Sequence, residues 1–266
     1  MILIIAEKPS LARNIAAGLG DFRRRDGYLE GENCLISWAF GHLFSLADIE
    51  HYNPRPEGER GWTMKNLPCF PNEFRFVLKK GADKKVDAGV KKQFELIKQL
   101  CNRPDVTEIV NAGDADREGE IIVRLCVKHA LNTEKPFKRL WLPDQTPETI
   151  RAAASDLPAD SDYDLLAKEG YARTYIDWLY GVNLTRYATI RTGKLLRVGR
   201  VIVPIVRAIY ERDMEIKNFK SEKYYVISSK EKTHGELVEL TSKARFDKNS
   251  EADALAMAKL YNDTGA

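Results

Sequence analysis

A short apolar run, MILIIA at residues 1–6, opens the chain and is cut by Glu7 and Lys8. Leu11, Ile15, Ala16 and Leu19 then recur at helical spacing, and Gly20 ends the pattern. This predicts a buried strand, a short loop and a helix with Ser10 as its N-cap. Leu29, Cys34, Leu35, Ile36 and Trp38 predict a hairpin within 28–47, and Pro, Gly and charge make 50–75 an irregular excursion. Val90, Phe94, Ile97 and Leu100 share one face of a helix over 86–100. A second short strand follows at 107–112, another helix begins near Ile121, and 138–142 is a third strand. Strands alternating with helices predict an α/β fold, a mainly parallel sheet with flanking helices.

Beyond residue 147 the pattern turns helical, over 147–154, 163–188 and 201–218. Strand-like segments return over 223–244, and a last amphipathic helix covers 251–262. The expected division is 1–150 as an α/β domain, 151–220 as a mainly helical one, and 221–266 as the start of a further β-containing domain. A hairpin and one helix are too little to complete a domain, so the chain reads as a piece of a longer protein.

Composition excludes several classes. Hydrophobic residues make up 44% and charged residues 30% of the 266 residues, as in ordinary globular proteins. No two of the four cysteines have CxxC spacing, which argues against a zinc ribbon or a dithiol site and suits a reducing cytoplasm. The opening apolar run is too short for a signal peptide or a membrane span. The net charge of +3 is small, but it is unevenly spread. Residues 168–220 hold 11 basic and 5 acidic side chains. Between Arg186 and Arg212 the sole acid is Glu211, against Arg191, Lys194, Arg197, Arg200 and Arg207. Such a stretch is either a solvated helix face or a surface for phosphates.

The acids form a second pattern. Glu7 follows one predicted strand, and Asp114, Asp116 and Glu118 follow another, flanked by Gly113 and Gly119. Ligands of open α/β sheets sit beyond the carboxyl ends of strands, so two loops bring four carboxylates toward one place. Their mutual repulsion calls for a cation, and hard oxygen donors suit Mg²⁺. Lys8 stands beside them, either to meet a phosphate or to pair with an acid. His42, alone after a strand, is expected to make a structural hydrogen bond.

A strand ending in Glu-Lys-Pro-Ser, followed by Asp-x-Asp-x-Glu-Gly-Glu, resembles the Toprim domain. The segments IIAEKPSLARNIAAGLG (4–20), FGHLFSL (40–46), WTMKNLPCFPNEF (62–74), GDADREGE (113–120), RLWLPDQTPETIRAAASDL (139–157), ARTYIDWLYGVNLTR (172–186) and VGRV (198–201) resemble, in order, the type IA topoisomerases of the bacterial topoisomerase III kind. The resemblance implies a Mg²⁺-dependent, ATP-independent enzyme that cuts, passes and rejoins single DNA strands. Its partner is the single-stranded region of an underwound duplex. A monomer in the bacterial cytoplasm at the nucleoid, with no membrane, is expected.

It further implies that Glu7, Asp114, Asp116 and Glu118 hold the metal and that Glu7 and Lys8 serve catalysis. Lys8, Arg173, Asp177, Arg186 and Arg200 contact DNA. Two departures stand out. Ile202-Val203 follows Gly-Arg-Val where Gln-Thr or Gln-Ser is usual, and none of the 11 tyrosines lies in the Ser-Tyr-x-Arg-Thr setting of the family nucleophile. The nucleophilic tyrosine is therefore expected to be absent from this chain. The alternative is a self-contained Toprim nuclease or primase-like module, which uses the acids and metal alone.

Overall fold

The computed structural model describes residues 1–54, 61–81 and 83–264. They fall into two compact units, Met1–Val203 and Pro204–Ala266. Within the first unit, β1 (Ile2–Ala6), β2 (Arg23–Arg25), β3 (Tyr28–Glu30), β4 (Cys34–Trp38), β7 (Glu108–Ala112) and β8 (Phe137–Arg139) form a sheet in the order β2-β3-β4-β1-β7-β8. Strands β4, β1, β7 and β8 run parallel, and β2 and β3 extend the sheet antiparallel beyond β4. A second, two-stranded sheet pairs β5 (Phe44–Leu46) with β6 (Phe76–Leu78).

Strand β1 is the centre, and its alternation builds two cores. Leu3 and Ile5 join Leu35 and Ile109 under α3 (Ala88–Cys101) and α4 (Arg117–Ala130). Ile4 and Ala6 join Ile36 and Val110 under α1 (Pro9–Leu19) and α5 (Pro147–Ser155). Burial on both faces explains why the opening run is apolar without alternation. From β1 the chain passes first to β4 on one side and later to β7 on the other, so strand order reverses at the carboxyl end of β1. That is where such sheets bind ligands.

Several expectations are corrected in detail. Helix α1 starts at Pro9, not after a Ser10 cap: Lys8 is the N-cap residue, with no side-chain cap bond. Proline at the first helical position loses no hydrogen bond and brings its φ preset. The hairpin at 28–47 is confined to β3 and β4, while β5 leaves for the second sheet. Strand β2 is Arg-Arg-Arg and fully exposed, so no hydrophobic alternation announces it. In the irregular stretch 50–75, a short α2 (Ile49–Tyr52) and a 3₁₀ turn at Met64–Asn66 are formed, and residues 55–60 lie outside the described residues.

Helix α6 runs from Asp164 to Thr192 and ends on Gly193 in the left-handed conformation. Helix α7 is Ile202–Lys217. The second unit also holds the antiparallel pairs β9 (Tyr224–Tyr225) with β12 (Phe246–Asp247) and β10 (Ser228–Thr233) with β11 (Glu236–Thr241), and α8 (Glu251–Thr264). No helix among the described residues is long and apolar enough to cross a membrane.

Gly18 shows how tightly α1 meets α5. A Cβ there would lie 2.7 Å from Cγ2 and 2.8 Å from Cβ of Ile150. Glycine to alanine inside a helix ordinarily stabilises by about 0.5–1 kcal/mol. Gly18→Ala is expected to do the reverse and cost about 1–3 kcal/mol through overpacking. Adding Ile150→Ala should recover part of that loss. Urea unfolding of the two variants checks both signs.

Candidate functional site

In the register of the sheet Ala6 lies beside Ala112, so Glu7 and Gly113 leave adjacent strands side by side. The Asp114 backbone N–H donates to Glu7 Oε2 at 3.2 Å, and the Lys8 ammonium lies 2.5 Å from Asp114 Oδ2. The other Asp114 oxygen, Oδ1, is buried without a hydrogen-bond partner. Asp116 caps α4: its Oδ1 accepts from the N–H groups of Glu118 (2.9 Å) and Gly119 (2.8 Å). Gly113 and Gly119 touch across the loop, since a Cβ on Gly113 would fall 2.0 Å from the Gly119 carbonyl oxygen. The turn that exposes three acids is thus closed by two residues without side chains.

Glu118 faces the opposite way. Its carboxylate lies 3.3 Å from His42 Nε2 and 3.6 Å from Arg173 Nε. Arg173 lies 3.7 Å from Asp177 on the next turn of α6. Asp177 in turn accepts from Arg200 Nε at 2.6 Å and from its Nη2 at 3.2 Å. A line of alternating charge therefore runs from the acidic loop to the basic stretch. The loop after α6 reaches Asp177 because Thr185 clasps Val198 twice, accepting its N–H and donating to its carbonyl. Ile202 and Val203, which replace the usual polar pair, are both exposed.

Arg186 stands apart from this line. It is buried, lies 2.7 Å from Asp48 and 3.3 Å from Glu50, and stacks over Trp62 at 4.7 Å. Its charge is answered by side chains, as are those of Arg173 and Arg200, but at a buried place. It ties α6 to the 48–62 region, as do Trp178 donating to the Ala47 carbonyl and Asn183 bonding both backbone groups of Cys69. Two of the sequence segments noted above, 62–74 and 172–186, meet here.

Burial and the neighbouring Asp114 charge push the Glu7 carboxyl above its ordinary range. The hydrogen bond to Asp114 pushes Lys8 up. The pair with Arg200 holds Asp177 below the usual carboxylate range. No three His, Cys, Asp or Glu side chains are gathered into a metal-ligating group among the described residues. Each acid has instead found its own cation or N–H group. The donor set suits a hard divalent cation all the same: carboxylates only, with one buried Asp114 oxygen unpartnered and Glu7 pushed above its ordinary range by burial and by the neighbouring acid.

Beneath the loop lies a polar network that the sequence pattern did not announce. Arg139, fully buried at the end of β8, lies 2.7 Å from the equally buried Glu120. It also donates to the carbonyls of Asn111, Gly113, Leu140 and Asp114 at 2.8–3.1 Å. Arg124 binds Glu120 at 2.7 Å and Asp160 at 2.8 Å, and Asn111 bridges Glu120 and Asp160 while accepting from the Gly113 N–H. Glu120, Arg139 and Asp160 are scattered in sequence with no period. Their one legible sign was a charge at an otherwise core-facing position.

A Toprim domain model matches residues 2–144. The chain belongs to the Toprim family. A DNA topoisomerase model matches residues 161–264 of this Toprim chain. It is 38% identical over 227 residues to DNA topoisomerase 3 of Bacillus thuringiensis (strain Al Hakam), 40% over 228 residues to that of Bacillus cereus (strain ATCC 14579) and 37% over 226 residues to that of Staphylococcus epidermidis (strain ATCC 12228). Each match covers 85% of this chain and 30% of the relative, so the Toprim chain spans about a third of their length. Together these place it among the type IA, topoisomerase III-like Toprim proteins.

Removing Arg139 leaves the buried Glu120 to Arg124 alone and takes the donor from four backbone carbonyls, so Arg139→Ala is expected to cost about 3–5 kcal/mol, read by denaturant unfolding. The double change Arg139→Met with Glu120→Leu should cost markedly less. Burial and the Glu120 charge push Asp160 up to about 6, against the pull of Arg124 and Arg139. The fold thus favours its neutral form. That stabilisation is complete below the ordinary aspartate value of 3.8 and is lost as pH rises to about 6. Between those limits wild type should lose stability relative to Asp160→Asn, as melting curves across that window will show.

Proposed function

We propose that this chain is the metal-binding and groove-forming part of a type IA topoisomerase III-like enzyme, which cuts, passes and rejoins single DNA strands through a phosphotyrosine. The observation that carries the reading is the charge line from Glu7, Lys8 and Asp114 through Glu118, Arg173 and Asp177 to Arg200. An acidic centre continuous with exposed arginines suits a substrate that is itself a chain of phosphates. In this reading residues 1–150 form the metal-binding part, 151–220 the helical DNA-binding part, and 221–266 open a further β-containing domain. The working place is the bacterial cytoplasm at the nucleoid, as a monomer on the single-stranded region of an underwound duplex.

Glu7, Asp114 and Asp116 would hold Mg²⁺, with Glu118 beside them. The ion would supply positive charge to the scissile phosphate and its leaving oxygen. Lys8 offers a second positive charge at the same place, positioned by its pair with Asp114. Arg173 and Arg200 meet backbone phosphates, and Asp177 orients both guanidinium groups. Backbone contacts fix the strand without reading its sequence. The nucleophile is not supplied by these residues. Conserving phosphodiester energy through cleavage and religation requires a covalent intermediate, and no tyrosine of this chain has the family's context.

Mg²⁺ is expected to raise the melting temperature of the chain by mass action, and Asp114→Asn with Asp116→Asn should abolish the rise. An unchanged shift in that double variant would remove the metal assignment. The chain alone should neither relax supercoiled DNA nor become attached to it. Denaturant trapping on end-labelled single-stranded DNA tests this directly. A covalent adduct would place the nucleophile within these 266 residues. Mg²⁺-dependent nicking without an adduct would mark a Toprim nuclease instead.

A further inference from the structure

A cavity of about 990 Å³ lies where β4 ends beside the β2–β3 turn, lined by α1 from one face of the sheet and by α3 from the other. It belongs to none of the residues discussed as metal or groove contacts. Its wall carries Arg13 from α1, Arg24 and Arg25 from β2 and Lys92 from α3, together with the aromatic rings of Trp38 and Phe40. Arg13 and Arg24 are exposed and have no partner among the described residues. Arg25 lies 2.8 Å from Glu30, and Lys92 lies 2.8 Å from Asp26, both as exposed pairs that contribute little on their own. Phe40 is 51% exposed on the cavity wall, so its ring can be reached from solvent.

The cavity also has a definite relation to the acidic centre. Trp38 ends β4 beside Ala6, and the Gly41 N–H donates to the Glu7 carbonyl at 3.0 Å. Phe40 is therefore one residue from a direct hydrogen bond to the residue at the heart of the metal site. Arg13 lies one turn into the helix that Lys8 caps. Strands β4 and β1 are parallel, so the cavity residue Trp38 and the acids share the carboxyl end of the sheet.

We propose that this cavity is a second single-stranded DNA subsite, in which Arg13 and Arg24 hold backbone phosphates and Phe40 stacks a base. Free guanidinium groups interleaved with an exposed ring are the chemistry of sequence-tolerant single-strand binding. A double helix presents no unstacked base to Phe40. The subsite rests on the function proposed above: a strand held at Lys8 and Arg173 continues past Glu7 into the cavity, and the arginine pair steadies the segment on that side of the cut.

The test uses fluorescent oligothymidine and the 266-residue chain, with three sets of variants. Arg13→Ala with Arg24→Ala should weaken binding and reduce the slope of log K against log[salt] by about 1.4, since each single-strand phosphate contributes about 0.7. Phe40→Ala should weaken binding by about 5-fold to 150-fold with the slope unchanged, and should leave binding to duplex of the same length unaffected. Oligonucleotides carrying 5-iodouracil should cross-link on irradiation to Phe40, located by peptide mapping.

If the cavity variants bind like wild type while Arg173→Ala with Arg200→Ala weakens binding, the subsite is wrong and the groove stands. If wild type does not bind single strands, or no variant changes its binding, the groove reading fails and the subsite with it. Cross-linking only to residues outside the cavity would also overturn the subsite.

Discussion

The guanidinium of Arg139 has no access to water, and most of its hydrogen-bonding capacity is given to the backbone that turns into the acidic loop. One buried carboxylate, Glu120, answers its charge, while the carbonyls of Gly113 and Asp114 take two of its remaining donors. A buried pair of this kind adds little net stability over an apolar replacement, because desolvation offsets the attraction. What it supplies is position. The loop leaves β7 at a fixed place beside Glu7, and the contact between Gly113 and Gly119 then closes the turn. Asp114, Asp116 and Glu118 take their directions from that constraint.

Those directions show how each of the like charges is answered by its own partner. Glu7 and Asp114 remain neighbours and are eased by one ammonium and one N–H group. Asp116 turns inward to the helix terminus, where the dipole favours a carboxylate. Glu118 swings to Arg173 and His42. The same repulsion that separates the acids links them to α6, because Glu118 must find a cation and Arg173 carries the connection on to Asp177 and Arg200. The acidic loop and the arginines of α6 and of the loop after it are thereby linked through ion pairs rather than through packing.

The apolar periods made the central strand, the helices over 86–100 and 147–154, and the strand before the acidic motif readable in advance, since burial imposes those periods. That the acids gather at two strand ends was legible because an apolar run precedes each and glycines flank the second. Partner choice was not. That Glu118 turns to Arg173, or that Arg186 is spent on Asp48 and Glu50, depends on chain segments more than 50 residues apart meeting in space. Strand β2 was invisible because an edge strand of three arginines needs no apolar face. The Arg139 network was invisible for a related reason: polar residues in a core leave no periodic trace.

Glu7 and Asp114 are held side by side, part-buried, by the protein itself. The side-chain ¹³C titration of Glu7 in the metal-free chain tests it most directly. The midpoint is expected above the ordinary glutamate range, moving down in Asp114→Asn as the neighbouring charge is removed yet staying raised by burial. An ordinary glutamate midpoint in wild type, indifferent to Asp114→Asn, would contradict it.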